Sequence, residues 1–258
     1  MEQSLLVEEQ SGVLRLTINR PAEKNALNRA LTGALTAELH RASLDPTVRV
    51  VLLQGAGTSA FCAGADLREL ASLSTAEERR TFFGGIASLI AAFTSCAKPI
   101  ITKVRGYALA GACGLVASSD IVIASPDAIF GLPEIKVGIA PLMILAPLSR
   151  CIGHKALADL VLTGEPISAE RALAIGLISR VEAADSIDAT ADALASTVAK
   201  LSPSALTTTK KTLWTAPDQE FLTSLETLAD RVALLASSEN AQEGIAAFLE
   251  KRRPSWKH

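Results

Sequence analysis

The stretch YALAGACGLVASSD, residues 107–120, carries hardly a large side chain. A helix that needed only burial would be written in Leu and Ile; this one is written in Ala, Gly, Cys and Ser. It follows a strand-like run at residues 99–104 and precedes the apolar IVIA of residues 121–124. Strand, small-residue helix opening near Gly111, strand: that order points to an α/β chain, and it leaves a question about what approaches the helix so closely.

The same alternation extends outward. Residues 48–53 are apolar but for Arg49, and the unbroken run from Val50 to Leu53 is the mark of a strand covered on both faces. Residues 5–7 and 13–18 read as two strands joined by a tight Ser11-Gly12 turn. Leu27, Leu31, Leu35 and Leu39 make a helical stripe over 25–43. Residues 69–96 read as helix, with Ser74 or Thr75 as a cap and Glu77 and Glu78 in a first turn. Beyond a short extended piece at 129–130, helices are expected at 142–150, 154–162, 168–175 and 186–201. After Ser202-Pro203 they continue at 206–214, 221–235 and 240–252. The expectation is an α/β body over residues 1–200 and a helical region over 201–258.

Composition narrows the function. The 258 residues carry a net charge of -2, so no bulk basic field speaks for nucleic acid. The four Cys form no CxxC pair and sit among apolar or small residues, as free thiols do in a reducing compartment. The first residues lack a basic start and an apolar core, so no signal peptide is expected, and no uncharged run reaches membrane-spanning length. The expected protein is soluble and cytoplasmic, without membrane or nucleic-acid partners. The three His stand outside metal-ligand spacing, so no metal site is expected. Residues 55–60, GAGTSA, match a GxGxxA, but no helix opens there, so they read as a plain loop and not a dinucleotide fingerprint.

Two loops share one character. Ala63, Gly64 and Ala65 lead through Asp66 into a helix, and Ala110 and Gly111 lead into another. A helix start offers unpaired N–H groups at the positive end of a dipole, and small side chains let a ligand oxygen reach them. Two readings stand: close helix packing, which composition alone favours, or an oxyanion hole with one N–H from each loop. Glu134, in the apolar setting FGLPEI, is either an exposed loop residue or a partly desolvated acid/base.

Taken jointly, NRP…NALN at residues 19–28, FCAGADL at 61–67, GYALAGAC at 106–113, FGLPE at 130–134, LTGEPISA at 162–169 and the EGI…FLEKR ending resemble the crotonase (enoyl-CoA hydratase/isomerase) superfamily over essentially the whole chain. The resemblance implies a spiral of strand-strand-helix turns with a C-terminal helical region that joins subunits into a homotrimer or hexamer. It implies an acyl-CoA thioester as ligand, with coenzyme A arriving as part of the substrate and no separate cofactor. It implies that Ala65 and Gly111 hold the thioester oxygen and that Glu134 is the acid/base. By the same likeness, Glu23, Lys24, Asn25, Ala63, Gly64, Asp66, Leu67, Leu109, Gly114, Pro133 and Leu142 line the CoA and acyl path, and Lys251 reaches the nucleotide phosphates. Residues 138–144 are expected to wall the acyl pocket.

One position departs from the family pattern. Its hydratases carry a second Glu shortly after the second oxyanion glycine, where this chain has Gly114. Moving a double bond needs one base, whereas adding water ordinarily uses two carboxylates, so isomerisation of an enoyl-CoA is expected ahead of hydration. Hydrolysis or decarboxylation of an acyl-CoA, and CoA-ester binding with little catalysis, are the competing expectations.

Overall fold

The computed structural model describes residues 3–257. Strands β1 (Leu5–Gln10) and β2 (Val13–Ile18) pair antiparallel with Gln10 opposite Val13. Ser11 and Gly12 both have positive φ, 52° and 80°, the backbone of a two-residue turn whose twist suits a hairpin. β2 then runs parallel to β3 (Val50–Gly55), and β5 (Ile100–Val104), β7 (Ile121–Ala124) and β10 (Arg180–Val181) extend the sheet in the order β1-β2-β3-β5-β7-β10. A second sheet, β4-β6-β8-β9, is built from short pieces: β4 (Ala60–Cys62), β6 (Tyr107–Leu109), β8 (Ile129–Gly131) and β9 (Ile167–Ser168).

The two sheets share one repeating path. β3 hands the chain to β4, β5 to β6 and β7 to β8, and each pair is followed by helix. The helices are α2 (Leu67–Ser72) with α3 (Ala76–Ser95), then α4 (Gly111–Ser118), then, through a 3-10 turn at Pro133–Val137, α5 (Leu142–Cys151). This is the expected spiral of strand-strand-helix turns. The unbroken apolar run of β3 has its reason here. Val50 and Leu52 pack with Ile187, Ala191 and Ala195 of α8 (Ile187–Ala199), while Val51 and Leu53 join the main core with Phe61, Phe93 and Leu35.

Several boundaries differ from the sequence reading. The stripe at 25–43 becomes α1 only from Arg29 (Arg29–Leu44), because Asn25 has φ 58° and Asn28 caps the helix by accepting from the Leu31 N–H. Residues 69–96 are two helices: Leu73 turns inward, and Thr75 and Glu78 form a reciprocal capping box that starts α3. The helix expected at 168–175 is α7 (Ala169–Ala174), with Ser168 ending β9 and capping it. α6 (His154–Thr163) lies where expected.

At the C-terminal end, α9 (Pro203–Thr215) is tied to the body. Lys210 Nζ donates to the Lys98 carbonyl at 3.0 Å and pairs with Asp120 at 2.8 Å, deep under the helix. α10 (Phe221–Ala236) and α11 (Glu239–Leu249) bury only Ser224 and Ala247 and leave Phe221, Leu234 and Phe248 at 70%, 75% and 82% exposed. Among the described residues no helix is long and apolar enough to cross a membrane.

Candidate active site

β4 and β6 are parallel neighbours, so the loops that follow them leave the same edge of the second sheet side by side. The first loop is held by Asn25. Its side chain accepts from the Arg20 N–H at 2.9 Å and donates to the carbonyls of Ala56 and Ala60 at 3.0 and 2.8 Å. Leu27 N–H then donates to Gly64 O, and Asp66 N–H donates to Leu27 O. Between those two bonds the Ala65 N–H has no acceptor among the described residues. Asp66 caps α2 by accepting from the Arg68 and Glu69 N–H groups, and its other oxygen takes the Arg20 guanidinium at 2.9 Å. Burial opposes its charge, and Arg20 with the helix N–H groups outweighs that opposition, holding the carboxyl below its ordinary range.

The second loop is strained. Ala110 has φ 55° and ψ −126°, a region that suits glycine, and its N–H donates to Gly131 O at 2.8 Å. That turn sends the chain into α4 with Gly111 as first residue, and the Gly111 N–H also lacks a protein acceptor among the described residues. The loops touch. A Cβ on Gly64, where φ is +88°, would lie 2.6 Å from the Ala110 Cβ, so only glycine lets them meet. A Cβ built on Gly111 would lie 3.9 Å from the Ala65 nitrogen. Two unpaired N–H groups from adjacent loops thus stand together, the arrangement that holds an oxyanion.

Both N–H-bearing residues line a cavity of about 360 Å³. Its other walls come from α2 and α3 (Leu67, Leu70, Phe83, Ile86), from Pro133, Glu134 and Val137, and from residues 139–144. Among the lining residues Glu134 alone has an ionisable side chain. It sits in the 3-10 turn, which closes when the Ile139 N–H donates to the Glu134 carbonyl at 3.0 Å. Its Oε2 is buried and meets no donor among the described residues. Burial raises its pKa above the ordinary Glu value, with its own backbone N–H only partly offsetting this. Beneath it the buried Cys113 thiol donates to Ala108 O at 3.1 Å and is pushed up to about 12 by burial, so it serves as packing and not as a nucleophile.

Of the residues named from sequence, the structure gathers Ala63, Ala65, Leu67, Gly111, Pro133, Glu134 and Leu142 around this cavity. Gly64, Asn25 and Asp66 stand behind it and set the first loop. Leu109 lies half-buried, its carbonyl against Gly64. Glu23 and Lys24 are exposed, and the Lys24 carbonyl accepts from the Ala63 N–H at 3.0 Å. Lys251 is exposed just past α11. Gly114 does not line the cavity: a Cβ there would lie 2.5 Å from Ile144 Cγ2, so hydrocarbon from α5 fills that place. Sequence reasoning missed Leu70, Phe83, Ile86 and Val137. The i, i+3 spacing of Phe83 and Ile86 marks one helical face, but nothing in the sequence says that the face is hollow.

Residues 8–258 match the family model described as enoyl-CoA hydratase/isomerase. The chain belongs to the enoyl-CoA hydratase/isomerase family. Within this family it is 39% identical to the 2,3-dehydroadipyl-CoA hydratase of Escherichia coli, over 98% of each chain. It is 36% identical to the mevalonyl-coenzyme A hydratase of Aspergillus fumigatus, over 95% of this chain and 91% of that one. The crystal structure of an enoyl-CoA hydratase from Mycobacterium smegmatis superposes with a TM-score of 0.94 at 34% identity, covering 99% of both chains. The enoyl-CoA hydratase/isomerase family assignment makes the chain an enzyme and matches the spiral fold read from its strand order.

Proposed function

We propose that this enzyme acts on enoyl-CoA thioesters, with the Ala65 and Gly111 N–H groups on the thioester oxygen and Glu134 as the single proton-transfer group. The observation that carries this is one cavity holding two adjacent unpaired N–H groups and one carboxylate, in walls that are otherwise apolar. Electron density drawn to the thioester oxygen acidifies the carbon beside the carbonyl. Glu134 takes that proton, the two N–H groups and the start of α4 hold the resulting enolate, and Glu134 returns the proton two carbons away. The net change is migration of a double bond from the 3- to the 2-position. Coenzyme A enters as part of the substrate, and Lys251 at the surface is the proposed contact for its phosphates.

Hydration is the second reading, favoured by the names of the relatives, which are hydratases. It would require Glu134 alone to place water, since Ile144 occupies the space beside Gly114. Supplying a 3-enoyl-CoA and a 2-enoyl-CoA separately decides between them: isomerisation faster than hydration is expected, and the reverse order defeats the isomerase reading. Gly111→Val tests the oxyanion hole itself. The added Cβ has room, 3.7 Å from Leu27 and 3.9 Å from Ala65 N, yet the branched side chain crowds the mouth of the N–H pair. A fall in turnover of about 10²–10³ is expected with the melting transition kept, and near-normal turnover would remove the assignment.

A further inference from the structure

Resting on that reading, we propose that the acyl group this enzyme takes is an uncharged hydrocarbon chain, and that enoyl esters ending in a second carboxylate are rejected. The walls that remain once the N–H pair and Glu134 are assigned are apolar throughout, and their larger side chains include Leu70, Phe83, Ile86, Met143 and Ile144, from α2, α3 and α5. Among the described residues no Lys, Arg, His, Ser, Thr, Asn, Gln, Tyr or Trp lines the cavity. A carboxylate carried in on the acyl tail would lose its water and gain no donor. It would also enter the field of Glu134, whose Oε2 already lacks a partner, and two like charges in a small apolar space oppose one another. Arg20, Arg29 and Lys136 are paired with Asp66, Glu69 and Glu165, and Arg68, Arg79 and Arg80, the cations nearest in sequence to Leu67 and Phe83, are exposed and do not line the cavity. The Escherichia coli relative is named for dehydroadipyl-CoA, an acyl group ending in a carboxylate. These walls offer such a carboxylate no side-chain donor, so the substrate expected here departs from the one in that relative's name.

The test uses the full-length protein in its native assembly and two CoA esters of equal chain length, dehydroadipyl-CoA and the hexenoyl-CoA with its double bond in the same place. The kcat/KM for the hexenoyl ester is expected to exceed that for the dehydroadipyl ester by at least about 100-fold. Values within threefold of each other would overturn the proposal, including by a cation reaching in from a neighbouring subunit. Binding of the unreactive hexanoyl-CoA and adipyl-CoA, followed by calorimetry, separates this from the reading beneath it. If neither enoyl ester turns over, the catalytic reading fails, and a hexanoyl preference of tenfold or more still upholds the apolar pocket, whereas equal affinities overturn it. Met143→Lys places a cation in the half-buried wall and should shift the kcat/KM ratio towards the dehydroadipyl ester by at least tenfold; an unchanged ratio in a folded variant counts against the proposal.

Discussion

Glu134 shows what burial does to one carboxyl. Its pKa is raised because the charged form loses water in the cavity, so the folded state holds the proton more tightly than the unfolded chain does. As pH rises through the interval between the unfolded value, near 4.5, and the raised folded value, the folded state is destabilised relative to a neutral side chain. Glu134→Gln is therefore expected to melt at a higher temperature than the parent at neutral pH, with the gain vanishing below about pH 4. Its turnover should drop by roughly 10²–10⁴ while CoA-ester affinity stays within a few-fold. The parent's activity should show an acidic limb lying above the ordinary Glu range, and the variant should lose it. A parent-like rate, or a limb that persists in the variant, would move the chemistry to another group. Ala110 is the second residue-scale case. A non-glycine at φ 55° and ψ −126° costs on the order of 1–3 kcal/mol, so Ala110→Gly is expected to stabilise the fold by about 1 kcal/mol after the added freedom of the unfolded chain is subtracted. Chemical denaturation reads this directly, and a destabilised variant would show that the strain is absent. The apolar neighbours Phe130, Leu132 and Ile135 marked Glu134 as a candidate in the sequence but left an exposed loop residue equally open, and its place in the cavity wall is what the structure adds. The strain at Ala110 was not legible in the sequence, since only its bonded partner Gly131, twenty-one positions away, fixes the turn.

Helices α4 and α5 explain how position 114 came to be hydrocarbon. The GACG opening of α4 has no side chain large enough to hold α5 off, so Ile144 comes down onto Gly114. Gly114→Glu alone would overpack this contact, and the cleaner experiment adds Ile144→Ala to clear the space. The double variant is expected to raise hydration relative to isomerisation at least tenfold in product analysis; a ratio left where the parent has it would mean that lack of a second carboxylate is not what limits water addition. The long elements were readable because their patterns run for many residues: the alternation of β2, the apolar run of β3, the Leu stripe of α1. Of the second sheet only β8 was glimpsed, as the extended piece at 129–130, because β4, β6 and β8 are three residues each and β9 is two, shorter than any period can declare itself. The break between α2 and α3 was half readable: the cap at Thr75 was visible, and the inward turn of Leu73 that ends α2 was not.

Across the molecule, the main core is closed while α10 and α11 are not. Phe221, Leu222, Val232, Leu234, Phe248 and Leu249 are each more than half exposed, a larger apolar display than a monomer usually carries. Sedimentation at micromolar concentration is expected to give a mass well above the 27.0 kDa of one chain, consistent with a closed ring such as a trimer, and a mass near 27 kDa would remove the oligomer. The crossing from β5 to β6 has a different consequence. Only Arg105 and Gly106 join the two strands, and a Cβ on Gly106 would lie 2.2 Å from the Ser59 carbonyl. The chain has no slack there, and the Gly111 nitrogen lies five residues downstream of that glycine. A residue inserted at this crossing would pull the second loop out of step with the first, whereas one added at the exposed Ser74, between α2 and α3, would bulge into solvent. Chain length, then, is free to drift at the exposed junction of α2 and α3 and is gauged at the crossing from β5 to β6.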